Sequence, residues 1–144
     1  MIIAVGSDHA GFELKSAISA WLLQQGHEVI DVGTYSNERV DYPAYGAELG
    51  RMVASGEAQF GVAVCGSGQG ICMAANKVHG VRGAVIRTLE DAELSRGHND
   101  ANVACLGERV SSPAEAIAAL ETFLTTPFDG GRHTARVQQL NDLI

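Results

Sequence analysis

The chain has 144 residues, 46% of them hydrophobic, and a formal net charge of −7. That length closes one sizeable core, residues 1–144 forming a single domain. The acidic balance excludes a general nucleic-acid binder, which would carry a basic face.

No apolar run reaches membrane-spanning length, and the start lacks the basic stretch and cleavage site of a signal peptide. Three cysteines, an odd number without such a signal, predict reduced thiols in a cytoplasmic protein.

Ile2-Ile3-Ala4-Val5 reads as a strand running into Ser7-Asp8-His9-Ala10-Gly11. Phe12, Leu14, Ala17, Ile18, Trp21 and Leu22 then recur at helical spacing up to Gly26. Glu28 to Val32 is a second strand, and Gly33 to Asp41 a polar loop. Tyr42-Pro43 opens a helix to about Ser55, with proline in the first turn where its missing N–H costs nothing.

Gly61 to Val64 is a third, buried strand, followed by Cys65-Gly66-Ser67-Gly68-Gln69-Gly70 and a helix beginning near Ile71. Val81 to Val85 and Ala101 to Leu106 read as strands four and five, with a charged helix from Leu89 to Arg96 between them. Helices over Pro113–Leu124 and Arg132–Leu143 close the chain, separated by the break Thr126 to Gly131. Strands alternating with helices predict an α/β, three-layer αβα sandwich: a Rossmann-like, doubly wound parallel sheet of about five strands, with a C-terminal helix.

The chemistry concentrates at the turn after strand three. A strand, a glycine turn and a helix start aim backbone N–H groups and the positive end of a helix at one point, where an anion is stabilised. Cys65 lies at the lip of this turn, where a helix N-terminus favours the thiolate, and Ser67 adds a hydroxyl. The spacing is neither the G-x-G-x-x-G fingerprint nor a Walker loop, and a tight turn beside an inert buried cysteine fits it equally. Cys65 and Cys72 lack Cys-x-x-Cys spacing and a nearby histidine pair, so no zinc site is expected.

Asp8-His9 falls at the mouth of the first βα turn, where Asp8 suits a helix cap and His9 an acid/base or phosphate ligand. Arg132 and Arg136, four apart, share one helix face, as a phosphate clamp or as a solvated surface. Asp31 resembles the acid that holds a ribose in dinucleotide folds, but the glycine fingerprint that should accompany it is missing. His98-Asn99 precedes strand five and therefore lies at the sheet edge opposite Cys65.

Ser7-Asp8-His9-Ala10-Gly11, Asp41-Tyr42-Pro43, Cys65 to Gly70, Ala74-Ala75-Asn76-Lys77, His98-Asn99-Asp100-Ala101-Asn102 and Gly130-Gly131-Arg132-His133 together resemble the type B ribose-5-phosphate isomerases, in order and at about their spacing. The resemblance covers nearly the whole chain. It extends to a wider group holding allose-6-phosphate and galactose-6-phosphate isomerases. It implies an aldose–ketose isomerase of a sugar phosphate that needs no metal or other cofactor. It also implies a homodimer or homotetramer whose sites are shared between subunits.

In that pattern Cys65 matches the base that moves a proton between C2 and C1. Ser67 and the amides of Gly66, Gly68, Gln69 and Gly70 match the enediolate-stabilising loop, and His98 the group that opens the furanose. Asp8 and Asn99 match sugar contacts with Tyr42 beside them, and His9, Arg109, Arg132 and Arg136 match phosphate contacts. One branch of the family carries glycine at position 65 and a glutamate base at position 72, so Cys65 with Cys72 resembles the cysteine-base branch. Cys72 is then structural. The galactose-6-phosphate relatives usually lack His98 and the Gly130–His133 run, so their presence favours ribose 5-phosphate, with a six-carbon sugar phosphate such as allose 6-phosphate as the alternative substrate. A nucleotide- or flavin-binding module on the same sheet is the non-enzymatic alternative.

Overall fold

Five short apolar runs, each followed by a helix, must be parallel strands joined by crossovers if one sheet is to bury both its faces. The computed structural model describes residues 1–143. Strand β1 (Ile2–Ser7) leads through one 3₁₀ turn (His9–Gly11) into α1 (Phe12–Gln24). There follow β2 (Glu28–Asp31), α2 (Tyr42–Ala54), β3 (Phe60–Cys65), α3 (Gln69–Asn76), β4 (Gly83–Val85) and α4 (Leu89–Gly97). The chain ends in β5 (Val103–Gly107), α5 (Pro113–Thr125) and α6 (Arg132–Asp142).

The strands form one parallel sheet in the order β2-β1-β3-β5-β4. The expected three-layer, Rossmann-like sandwich is the fold observed.

Strand alternation divides the core in two. Ile3 and Val5 of β1, Val62 and Val64 of β3, and Ala104 and Leu106 of β5 pack against Leu14 and Ile18 of α1, Ala92 of α4 and Leu120 and Phe123 of α5. On the other face Ala4, Ala63, Cys65, Val103 and Cys105 meet Leu49 and Val53 of α2 and Ile71, Cys72 and Ala75 of α3.

Helix α6 belongs to neither layer. It lies past the amino-terminal ends of β4 and β5, tied by Arg82 Nη1 to Asn141 Oδ1 at 2.9 Å and by the stacking of His133 on His98.

Several boundaries differ from the sequence expectation. β4 begins at Gly83 instead of Val81 because the Asn102 side chain takes the preceding ladder positions. Its Oδ1 accepts from Arg82 N at 2.7 Å and its Nδ2 donates to Gly80 O at 3.0 Å. β5 begins at Val103, since Ala101 N still donates to Ser95 O at 2.9 Å and Asp100 turns with φ 48°. The turn after β3 enters its helix at Gln69, two residues earlier than expected, and α6 stops at Asp142.

From β1 the chain moves outward to β2, and from β3 it moves outward the other way, toward β4. The switch point therefore falls between the carboxyl ends of β1 and β3, where a sheet of this kind opens a crevice for a ligand. Asp8 follows β1 there, Cys65 ends β3, and Arg109 follows β5.

Candidate active site

The crevice is built by three interlocked turns. Asp8 N donates to Val64 O at 3.3 Å, Glu108 N to Cys65 O at 3.0 Å and Arg109 N to Gly66 O at 3.0 Å. The Glu108 carboxylate then accepts from Leu14 N at 2.7 Å, filling an orphan amide in the first turn of α1. Asp8, buried, caps the 3₁₀ turn as expected, its Oδ1 accepting from Gly11 N at 3.1 Å.

Cys65 is 5% exposed, and its Sγ accepts the Gly68 amide at 3.2 Å. Gly68 itself adopts φ 81°, a left-handed conformation that costs a glycine little and aims its N–H back at the sulfur. No side chain of the cap residue closes the N-terminus of α3, so the first-turn amides after Gln69 face the crevice without intrahelical partners. Ser67 is exposed and accepts from Gln69 N at 3.2 Å.

A Cβ on Gly66 would lie 3.0 Å from Arg109 Nη1, so the guanidinium rests on the Gly66 backbone. A Cβ on Gly70 would lie 2.6 Å from the Tyr42 ring, which places that ring on the far side of the same loop. His9 Nδ1 lies 3.1 Å from Val40 O and 3.3 Å from Val40 N. An Nδ1–H donating to the carbonyl leaves Nε2 as the atom that meets a ligand. Asp8, His9, Tyr42, Cys65 through Gly70 and Arg109 thus converge.

The remaining candidates sit elsewhere in the chain. β3 and β5 run in register from Gly61 opposite Val103 to Cys65 opposite Gly107. The four-residue offset separates Cys65 from the start of β5 by about 13 Å, and His98 lies earlier still, at the C-cap of α4. The His98 ring stacks on buried His133 with centroids 4.3 Å apart and planes at 12°, and its Nε2 lies 3.9 Å from Asp129 Oδ2. Arg132 and Arg136 are exposed on α6 beside this pair. Asn99 opens into a cavity of about 670 Å³ between β4 and α6, lined also by Asn76, Lys77, Arg82, Leu140 and Asn141.

The His98, Asp129 and His133 ligand atoms all fall within 4.8 Å of one another, close enough to consider a cation. The field there opposes one. Burial, His98, Arg132 and Arg136 all push the His133 imidazole below its ordinary value, and only Asp129 pulls it up. Two guanidiniums and a helix N-terminus suit an anion.

Cys72 lies in the core beside Cys105, away from the crevice lip, with Asn76 Nδ2 3.7 Å from its sulfur. A hydrogen bond from the Cys105 pair lowers Cys72 against the opposing effect of burial, while burial pushes Cys105 up. Two residues that order the crevice escaped the sequence reading. Glu108 gave no local signal. Lys15 gave one: it falls on the apolar stripe, three residues before Ile18 and seven before Leu22.

Fold and crevice together define a doubly wound α/β protein with a thiol at an anion nest on its switch point. The chain belongs to the ribose/galactose isomerase family, whose sequence model matches residues 3–140. It is 46% identical to ribose-5-phosphate isomerase B of Escherichia coli (strain K12) over 138 residues, 96% of this chain and 93% of that one. It is 42% identical to the enzyme of the same name from Mycolicibacterium paratuberculosis over 97% of this chain and 89% of that one.

Among solved structures, Clostridium thermocellum ribose-5-phosphate isomerase B superposes with a TM-score of 0.97 at 47% identity, covering 99% of this chain and 96% of that one. The Mycoplasma genitalium enzyme with bound ribulose-5-phosphate superposes with a TM-score of 0.93 at 37% identity, covering 97% and 93%. Among the described residues no helix is long and apolar enough to cross a membrane.

Proposed function

We propose that this protein interconverts ribose 5-phosphate and ribulose 5-phosphate, with Cys65 as the base and with each site completed by a second subunit. The observation that carries this reading is the 3.2 Å contact between Cys65 Sγ and the Gly68 amide, in a turn whose next amides lie open to the crevice. Proton transfer between adjacent carbons needs a base that reaches both and a preorganised site for the oxyanion between them.

The Cys65 thiolate takes the proton from C2 of the open-chain aldose. The electron pair of that bond forms the C1–C2 double bond, and the carbonyl electrons move onto O1. The amides of Gly66, Gly68, Gln69 and Gly70, with the Ser67 hydroxyl, stabilise the enediolate. The thiol returns its proton to C1 as O2 becomes the ketone oxygen, and the O2 proton is relayed to O1, which becomes the C1 hydroxyl.

His9 and Arg109 hold the phosphate, and Asp8 and Tyr42 flank the sugar. The partner subunit's His98 opens the furanose, Asn99 of the partner subunit contacts the sugar, and Arg132 and Arg136 of the partner subunit complete the phosphate clamp. Binding energy spent on the distant phosphate holds C1 and C2 at the thiolate. No step asks for a metal or other cofactor.

The test is an isomerase assay with ribose 5-phosphate and allose 6-phosphate, each with and without a chelator. Turnover of ribose 5-phosphate that survives chelation is expected. Preference for the six-carbon sugar would reassign the substrate, and tight binding of AMP or FMN without turnover would replace an enzyme by a binding module.

A further inference from the structure

Lys15 is among the most completely buried side chains of the protein, 1% exposed, on a helix whose neighbouring core positions are Leu14, Ile18 and Leu22. An ammonium taken out of water is costly unless it is paired and its protons are all bonded. Its Nζ donates to Asp31 Oδ1 at 2.7 Å and to Thr34 O. It also lies 5.6 Å from the centroid of the Phe12 ring and 5.4 Å from that of Tyr35, within cation–π range. A methionine would fill the same space at less desolvation cost. What the ammonium adds is a grip on one segment, the connection from β2 to α2.

That segment, residues 33–41, is strapped across the start of α1. At its beginning Asp31 Oδ1 accepts from Gly33 N at 2.8 Å, and Tyr35 OH donates to Asp31 O at 3.0 Å. Ser7 N donates to Gly33 O and Thr34 N to Ser7 O, both at 2.8 Å, which locks the strap to β1 one residue before Asp8. Midway, Asn37 Nδ2 donates to Glu13 Oε1 at 3.1 Å. At its end Val40 meets His9 Nδ1, and Tyr42 follows with its ring on Gly70. The strap therefore sets both the ring orientation of His9 and the entry of Tyr42, and Lys15 is the buried anchor of its first turn.

We propose that Lys15, with Asp31, is a positioning residue of the anion site: it touches no substrate and acts through the strap on His9 and Tyr42. The proposal rests on the isomerase reading for the identity of the substrate but not for its test, because inorganic phosphate reads His9 without turnover.

The experiment compares wild type, Lys15→Met and Asp31→Asn. It measures phosphate affinity by calorimetry, kcat and KM for ribose 5-phosphate, and the rate of Cys65 alkylation by iodoacetamide. Asp31 is partly exposed, so Asp31→Asn keeps the test alive if Lys15→Met fails to fold.

Both variants are expected to weaken phosphate binding and raise KM about tenfold, the scale of one charge-assisted contact. kcat and the alkylation rate should stay within about twofold, since the Cys65 turn is held by β3 and β5. Phosphate affinity and KM unchanged in a folded variant overturn the proposal. So does a loss confined to kcat in proportion to the folded fraction, which is the mark of a purely structural lysine. Wild type that binds phosphate but does not isomerise ribose 5-phosphate would overturn the substrate reading and leave the phosphate comparison to judge Lys15.

Discussion

The Gly68 amide donates to the sulfur of Cys65 at 3.2 Å across the tightest part of the turn after β3. The contact holds the sulfur at the mouth of the same turn whose following amides lack intrahelical partners, so one turn positions the thiol and those donors together. Cys65→Ala is expected to lower kcat for ribose 5-phosphate about 10²–10⁴-fold, the usual worth of a positioned base, with substrate binding largely kept. Cys72→Ala should keep most activity, because Cys72 packs in the core beside Cys105. Steady-state kinetics and substrate calorimetry on both variants decide it. A dead Cys72→Ala beside an active Cys65→Ala would reverse the assignment.

Arg132 and Arg136 lie exposed on α6, outside the core. Arg132→Ala and Arg136→Ala should therefore leave thermal unfolding in place while raising KM by about 1.5–3 kcal/mol in transition-state terms each, the range for hydrogen bonds to a charged group. KM values equal to wild type would make these arginines a solvated helix surface.

The distance between Cys65 and His98 within one chain makes the shared site directly testable. His98→Asn should slow turnover of cyclic ribose 5-phosphate more than that of ribulose 5-phosphate, which has no furanose to open. Mixing Cys65→Ala and His98→Asn subunits should regenerate activity, since one interface of the hybrid holds both intact groups. Mixtures that demonstrably exchange subunits yet stay inactive would place both groups on one chain.

His133 carries the pH prediction. Its imidazole is held below the ordinary histidine value by burial and then by His98, Arg132 and Arg136. The unfolded chain therefore binds the His133 proton at higher pH than the folded chain does. Stability from this group is complete above the ordinary value of 6.5 and is lost as pH falls from there through the lowered folded value. Denaturant midpoints measured from pH 8 down to pH 5 should fall, and His133→Asn should flatten that slope. An equal slope in the variant would remove His133 as its source.

Local pattern carried most of the architecture. The short continuous apolar runs at Ile2–Val5 and Gly61–Val64, the helical stripe from Leu14 to Leu22, and the glycine turn after Cys65 each state their structure within about ten residues. Alternation of strand and helix then leaves few topologies, because crossovers between parallel strands are right-handed. Asp8 as a cap and Cys65 at an anion nest follow from the same short-range chemistry.

Contacts between distant residues belong to the tertiary structure alone. Glu108 fills an amide of α1 94 residues away in sequence, and no local pattern encodes that reach. Lys15 falls on an apolar stripe, but the partners that make its burial tolerable, Asp31 and Thr34, come from another element. Chain order already places His98 at the sheet end opposite Cys65, but that α6 joins it there, with His133 stacked on His98, is decided by the tertiary structure. Sequence periodicity states which way a side chain faces from its own strand. Which strands lie side by side, and at what offset, is decided only when both faces of the sheet are buried together.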